Sequence, residues 1–285
     1  MQMTRSKIQG FHLFLLILLL TGCSLVSLAY NNAATALYWY FDDYFEFNST
    51  QRVLYDQGFQ RIQVWHRKME LPKYAALCAE AALRVESGLK QADLDWLENA
   101  LRTRFNVLAS HSAGDLATLF ATLEPAQLDN LDRNFAKSNA KFVKEHLSGT
   151  REARETKRIK ESLARIEEWV GELQPDQEAS VVTMLRSMPQ MSQQRYAHRL
   201  ARQQAIRGIL ASRLGRDKLE VALNQWMIHW EGCRSAEHER LWGQWLERNR
   251  QLILRLDAML TPQQWKHLTN RLREYSEDFT RLREQ

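Results

Sequence analysis

The scarcity of helix-breaking residues is the feature that most constrains the fold. The chain has 285 residues but only 11 Gly and 5 Pro, the residues that destabilise a helix interior by roughly 1 and 3 kcal/mol. Long segments run without interruption, and none alternates apolar and polar residues as strands do. Nine Trp and a mean hydropathy of −0.48 suit helices that bury one apolar stripe. We predict an all-α fold, an elongated multi-helix bundle of amphipathic helices.

The N-terminal segment has the order of a bacterial secretory signal. A short basic head precedes an apolar run over residues 11–20, and small residues follow. The run ends in Leu20-Thr21-Gly22-Cys23, which resembles the bacterial lipobox. The resemblance implies cleavage before Cys23 and its acylation with palmitate-type chains, and several chains anchor a protein firmly where one does not. Ser24, which is not Asp, implies sorting to the outer membrane of a Gram-negative cell.

A transmembrane helix is the alternative for this segment. The apolar run is ten residues long, whereas a helix needs ~20 apolar residues to span a bilayer. Extending the run to Ala29 includes Thr21, Gly22 and Ser24. We therefore predict that residues 1–22 are a lipoprotein signal peptide and that residues 23–285 are a helical periplasmic domain, tethered to the membrane by its N-terminal lipid.

The small net charge argues against one class of partner. Loss of Arg5 and Lys7 with the signal lowers the net charge from +5 to +3. A charge this small, on an exported chain, argues against nucleic-acid binding.

Two further cysteines, Cys78 and Cys233, remain in the exported part of the chain. The periplasm is oxidising, so they are candidates for a disulfide. Two unpaired, buried thiols are the alternative. A catalytic role has no supporting context in the sequence.

Residues 30–47 are rich in aromatic side chains and contain no Lys or Arg. The segment can lie at the membrane interface or pack into the bundle. Acidic residues are unfavourable at an anionic membrane surface, and Asp42, Asp43 and Glu46 lie here. We therefore favour packing.

The remaining helices are predicted from their apolar spacing and from Gly and Pro positions. Two of the predicted helical segments contain residues that can interrupt a helix. Residues 93–123 contain Ser112-Ala113-Gly114, where we predict an interruption. Residues 217–260 contain Gly232 and Gly243, either of which can bend or break a helix.

Four helix starts share an apolar residue followed four positions later by glutamine. The copies are Phe47–Gln51, Leu123–Gln127, Leu173–Gln177 and Leu260–Gln264. The spacing suits a capping box, in which the glutamine accepts from the N-cap N–H. The last copy, Leu260-Thr261-Pro262-Gln263-Gln264, also resembles the LTxxQ motif of Spy/CpxP-type periplasmic chaperones and stress regulators. We favour plain capping over a shared function.

A wider set of residues resembles a family of uncharacterised proteobacterial lipoproteins. The resemblance is carried by Tyr30-Asn31-Asn32-Ala33, Asp43-Tyr44, Gln51, Trp65-His66-Arg67 and Glu70-Leu71-Pro72-Lys73-Tyr74-Ala75. It implies an all-helical envelope lipoprotein and carries no catalytic residue.

No motif for catalysis, a cofactor or a metal is found in the sequence. His66 and Glu70, and likewise His229 and Cys233, are four residues apart and so share a helix face. A structural zinc ion needs four ligands and an acid–base site needs further partners. We predict no enzyme, no cofactor and no metal.

A block of positive charge is the clearest candidate for binding. Residues 179–216 contain seven Arg and no Asp or Glu. Arg195, Arg199 and Arg202 lie at i, i+4 and i+7, which forms one helical stripe. The stripe suits an anionic lipid or an acidic protein, since guanidinium groups bind phosphate and carboxylate. Alternatively, a neighbouring helix that carries Glu161, Glu167 and Glu168, with Glu172 just beyond it, pairs with the stripe, and we favour this internal pairing.

The segment over residues 151–168 is charged on most of its surface, with both signs mixed. Such a pattern favours a solvated helix over a docking site. Three functions stay open: a non-catalytic binding or scaffold module of the envelope, which we favour; a chaperone-like or stress-sensing protein; and an enzyme of unrecognised type.

Overall fold

The computed structural model describes residues 25–285. Of these residues 84% are helical and none forms a strand, which confirms the predicted all-α multi-helix bundle. The predicted signal peptide and Cys23 lie outside the described residues. Within the described part of the chain, no helix has the length and apolar character needed to cross a membrane.

The described helices are numbered in chain order. The first six are α1 (Leu25–Asn31), α2 (Ala33–Phe45), α3 (Ser49–Met69), α4 (Leu71–Glu86), α5 (Gln91–Phe120) and α6 (Pro125–His146). The next six are α7 (Arg151–Val170), α8 (Pro175–Ser187), α9 (Ser192–Ala211), α10 (Arg216–Ile228), α11 (Ala236–Asp257) and α12 (Pro262–Glu284).

The predicted interruption near Gly114 is wrong, because α5 continues through it. A Cβ at Gly114 would lie 3.1 Å from a guanidinium nitrogen of Arg216 on α10. The glycine therefore leaves room for the ends of side chains from α10. Ser112 also stays helical, with its hydroxyl donating to the Leu108 carbonyl at 2.7 Å.

The long segment after residue 217 does break, over residues 229–235, which include Gly232. The turn closes with a hydrogen bond from the Gly232 N–H to the His229 carbonyl at 3.0 Å. Helix α11 then starts with Ser235 as its N-cap, whose hydroxyl accepts from the His238 N–H at 3.1 Å. Gly243 lies inside α11.

Two clusters of buried side chains form the core. The first joins α2, α3, α5, α6, α9 and α10 and includes the aromatic residues Tyr38, Phe45, Tyr55 and Phe120. The second is mostly aliphatic and joins α7, α8 and α11. Helices α4 and α12 pack side by side, and the Ser276 hydroxyl donates to the Ala75 carbonyl at 2.8 Å.

Helix α2 packs into the first cluster, as predicted for the aromatic segment. Tyr38 and Phe45 are buried there. The Tyr55 hydroxyl donates to the Ala34 carbonyl at 2.7 Å and ties α3 to the start of α2.

Each glutamine of the four helix-start motifs caps its own helix. Gln264 Oε1 accepts from the Thr261 N–H at 2.9 Å, and the Thr261 hydroxyl accepts from the Gln264 N–H. Asn48 and Gln51 repeat both bonds at α3. In the other two copies the glutamine accepts from the N–H three residues earlier. The predicted capping is confirmed.

The same glutamines also pair with one another. Gln51 and Gln127 exchange two side-chain hydrogen bonds at 2.9 and 2.8 Å, and Gln177 and Gln264 exchange two at 2.9 Å. All four glutamines are buried. Each pair joins two helix starts that lie far apart in sequence, one pair beside each core cluster. The motif is therefore both a cap and a tertiary junction.

Candidate anion-binding cavity

The predicted arginine stripe divides into two environments. All three side chains project from α9, but only Arg195 lines a cavity. Arg199 donates to the Asn139 side-chain oxygen at 2.7 Å and to the Ser138 hydroxyl at 2.8 Å, both on α6. Arg202 donates to the Trp226 carbonyl at the end of α10 and lies 3.9 Å from the Trp226 ring centroid. Two arginines of the stripe therefore join helices.

The acidic helix is not the partner of this stripe. Glu161 pairs with Lys157 of its own helix at 3.8 Å, and Glu167 accepts from the Leu173 N–H at 3.4 Å. The predicted internal pairing through α7 is therefore wrong. Arg199 and Arg202 of the stripe instead donate to amide, hydroxyl and carbonyl oxygens of α6 and α10.

A basic cavity of about 700 Å³ opens at the N-terminal end of α9. Its walls come from the end of α6, from α7, from the segment 189–195 and from α11. The side chains that define it carry six positive charges: Arg151, Arg154, Lys157, Arg158, Arg165 and Arg195. Glu145 and Glu161 also line it, so the net formal charge is +4 with His146 neutral.

Several of these cations keep unused donors. Within residues 25–285, Arg151, Arg165 and Arg195 form no ion pair closer than 4 Å. All three are exposed at the rim. Arg154 is half-buried and donates to the carbonyls of Leu147 and Gly149 at 3.2 and 2.7 Å. In the described part of the chain, the rim therefore offers guanidinium groups that have no close carboxylate partner.

Arg158 forms the deeper part of the positive wall. It donates to the Leu185 carbonyl at 2.9 Å, and its Nε is buried without a hydrogen-bond partner. Burial lowers the pKa of the Arg158 guanidinium, and nearby Glu155 offsets this only in part. An unpaired buried donor costs about 1–3 kcal/mol.

The start of α9 adds backbone donors to the cavity. Its N-cap is Met191, whose side chain makes no capping hydrogen bond, and Ser192, Gln193 and Gln194 of the first turn line the cavity. First-turn N–H groups lack intrahelical acceptors and carry the positive end of the helix dipole. An anion is favoured at this position.

Apolar side chains complete the wall on one side. Leu241 and Trp245 of α11 and Met191 line the cavity beside the cations. Such a surface suits an anionic group that is attached to an apolar body.

The sequence contained a signal for this cavity that the mixed-charge interpretation missed. Arg151, Arg154, Arg158 and Arg165 fall within about 60° of one another at 100° per residue. The charges of α7 are mixed along the chain but segregated around the helix. That α7 is a solvated helix stays a prediction, and the structure adds that these four arginines line the basic cavity.

The other sequence candidates lie elsewhere. Glu70 is fully buried and accepts from Lys73 at 2.7 Å and from Arg104 at 3.1 Å. His66 Nδ1 lies 3.1 Å from the Tyr30 hydroxyl, and burial lowers its pKa. His66 and Glu70 thus have separate partners. In the described part of the chain no three His, Cys, Asp or Glu residues are grouped to hold a metal ion.

Cys78 lies on α4 and Cys233 in the turn before α11. Both are free thiols here, so the disulfide stays a prediction. Burial raises the pKa of Cys78 above its ordinary value.

A second, apolar groove of about 530 Å³ lies between α5 and α11. Leu101 and Phe105 are exposed there, and Trp230 and Trp242 line it. Its arginines are paired, since Arg102 contacts Glu231 at 2.7 Å and Arg250 contacts Glu98 at 2.7 Å. The groove therefore lacks the unpaired charge of the basic cavity.

Comparison with known proteins gives a family and no activity. A family model described as a family of unknown function, DUF6279, matches residues 43–238. This range contains α3 to α10 and all six cations of the basic cavity. No curated protein matches the chain, and no solved structure does.

Proposed function

We propose that this chain, which belongs to the DUF6279 family of unknown function, is a lipid-anchored, non-catalytic helical module of the cell envelope that binds an anionic group. The observation that carries the proposal is the basic cavity, where six cations meet the open N-terminus of α9. Phosphate and carboxylate groups suit this combination, because guanidinium forks and helix N-termini both bind them.

The anchor in this proposal is Cys23. The lipobox sequence and the shortness of the apolar run support it. Metabolic labelling with a radioactive fatty acid should label the wild-type protein and leave the Cys23→Ala variant unlabelled. An unlabelled wild-type protein would refute the anchor.

Two sources can supply the anionic group, free phosphate and a phospholipid headgroup. Titration calorimetry with inorganic phosphate, and separately with soluble dihexanoyl phosphatidic acid, tests both. We expect binding in at least one titration, with affinity that falls as salt is added because the rim charges are screened.

The double variant Arg158→Gln/Arg195→Gln tests where the anion binds. A hydrogen bond to a charged group contributes about 1.5–3 kcal/mol, so each substitution should weaken binding about tenfold or more. The matched control is Arg213→Gln, because Arg213 is exposed and lies beyond the other end of α9. Equal affinity in the double variant and the control would refute the site.

A chaperone-like role is the second candidate, and the groove between α5 and α11 favours it. Exposed Leu101 and Phe105 offer an apolar surface to an unfolded client. The purified protein should then suppress aggregation of a reduced, unfolding client, and Leu101→Ser/Phe105→Ser should abolish the effect. No suppression at molar excess would reject this role.

A further inference from the structure

Helices α1 and α2 leave four large apolar side chains exposed, and these are called the aromatic patch. They are Leu28, Leu37, Trp39 and Tyr40, which are 46%, 43%, 61% and 58% exposed. Tyr38 and Phe45 of α2 are buried, so this helix carries large apolar side chains on both its buried and its exposed surface. An exposed cluster of this kind marks a contact surface.

The patch lies within a segment that has no charged residue. Residues 25–41 contain no Asp, Glu, Lys or Arg. The first charge exposed on α2 is Asp43, about 6 Å further along the helix axis than Trp39 at 1.5 Å per residue. The half of α2 nearest the N-terminus can therefore enter an apolar interface without desolvating a charge.

The length of chain that precedes α1 identifies what covers the patch. Only Ser24 separates Cys23 from the first residue of α1, and a two-residue step spans at most about 7 Å. A lipid on Cys23 thus holds α1 at the membrane surface. Trp and Tyr favour this interface because their rings are apolar and their N–H or O–H groups remain hydrated.

We propose that the aromatic patch is a membrane-contact surface that lies in the lipid interface beside the acylated Cys23. The inference rests on the lipid anchor of the proposed function. It adds a second, protein-borne contact that fixes how the bundle is oriented on the bilayer.

Quenching by brominated lipid tests the contact directly. The acylated protein, purified from membranes with its lipid verified by mass spectrometry, is placed in phosphatidylethanolamine–phosphatidylglycerol vesicles with brominated acyl chains. The difference in tryptophan fluorescence between the wild type and Trp39→Phe gives the contribution of Trp39, one of nine tryptophans. We expect brominated lipid to quench this Trp39 component of the fluorescence. The control is Trp169→Phe, because Trp169 is exposed on α7 and packs against Tyr275, and its component should not be quenched.

The outcomes separate the two claims. Acylated, vesicle-bound protein whose Trp39 component is unquenched would overturn the membrane contact and leave the anchor intact. A quenched Trp39 component in protein whose mass shows no acyl group would support the contact and refute the anchor. Circular dichroism of Trp39→Phe should match the wild type, since the ring is exposed.

Discussion

Arginines on one face of α9 differ in what their side chains contact. Arg199 and Arg202, in the middle of α9, bond to oxygens of α6 and α10 and hold helices together. Arg195, one turn earlier, faces a cavity with five other cations. The middle of α9 uses positive charge for packing, whereas its N-terminal end leaves positive charge unpaired. Only the second arrangement can select an external anion.

The largest expected effect comes from the packed arginines. Arg202→Ala removes the bond to the Trp226 carbonyl and the contact with the Trp226 ring. We expect a loss of about 2–3 kcal/mol in the free energy of unfolding, from a charged hydrogen bond and a cation–π contact. Urea unfolding measures this loss. Arg202→Lys should recover only part of the lost stability, because a lysine ammonium cannot stack on the Trp226 ring as a guanidinium does.

Phosphate affinity of the folded Arg202→Ala protein should stay within about twofold of the wild type, since a twofold change is only about 0.4 kcal/mol. A large loss of affinity without loss of stability would reverse the assignment of the two groups.

The opposite pattern is expected for the cavity. Arg195→Gln should weaken phosphate binding about tenfold, which is about 1.4 kcal/mol, and should change stability by less than about 0.5 kcal/mol because the side chain is exposed and unpaired. Calorimetric titration and urea unfolding of the same sample give both values. A destabilised variant with unchanged affinity would place Arg195 with the packed group.

The stability of the protein is expected to depend on pH through two histidines where α9 meets α11. Burial lowers the pKa of His198 and of His238, and Arg234 adds to the effect on both. Other charges facing the pair are Arg202 beside His198 and Arg195 beside His238, while Glu239 opposes the shift in each.

Because the folded pKa of each histidine lies below the ordinary value of 6.5, the unfolded chain binds protons first as the pH falls. Stability should therefore decrease below about pH 6.5, until the folded pKa is passed. Urea unfolding between pH 7.5 and 5 should show a shallower decrease for His198→Gln/His238→Gln than for the control His229→Gln, which changes an exposed residue. An unchanged slope would show that these histidines are not coupled to folding.

The smallest effect is expected for Arg207, the fourth arginine of α9. Arg207 pairs with Asp132 of α6 at 2.9 Å, and the aspartate is half-exposed. Pairs of this kind contribute about 0–1 kcal/mol, so Arg207→Ala should shift the urea midpoint only slightly and leave phosphate binding unchanged. A loss comparable with that of Arg202→Ala would remove the distinction between surface and packed pairs.

The sequence predicted the helices more completely than the site. Apolar spacing, Pro at helix starts and the capping glutamines depend on neighbours within one helix, so they can be read locally. The interruption predicted near Gly114 was wrong because the packing of α10 side chains against this glycine depends on the tertiary structure. The pairing of Gln51 with Gln127 likewise joins positions that no local rule connects.

The basic cavity was hidden for a related reason. Arg195 was singled out, but its partners on α7 are arginines scattered among glutamates in the linear sequence. Their shared face appears when the helix is viewed end on. That this face meets the N-terminus of α9 depends on how α7, α9 and α11 pack.

A crystal structure of the protein grown with tungstate tests the central claim most directly, since tungstate is a phosphate-like anion with strong anomalous scattering. We predict a tungsten peak inside the basic cavity, within hydrogen-bonding reach of Arg158 and Arg195, and none beside Arg199 or Arg202. Ordered tungstate elsewhere on the protein with the cavity empty would contradict the proposal.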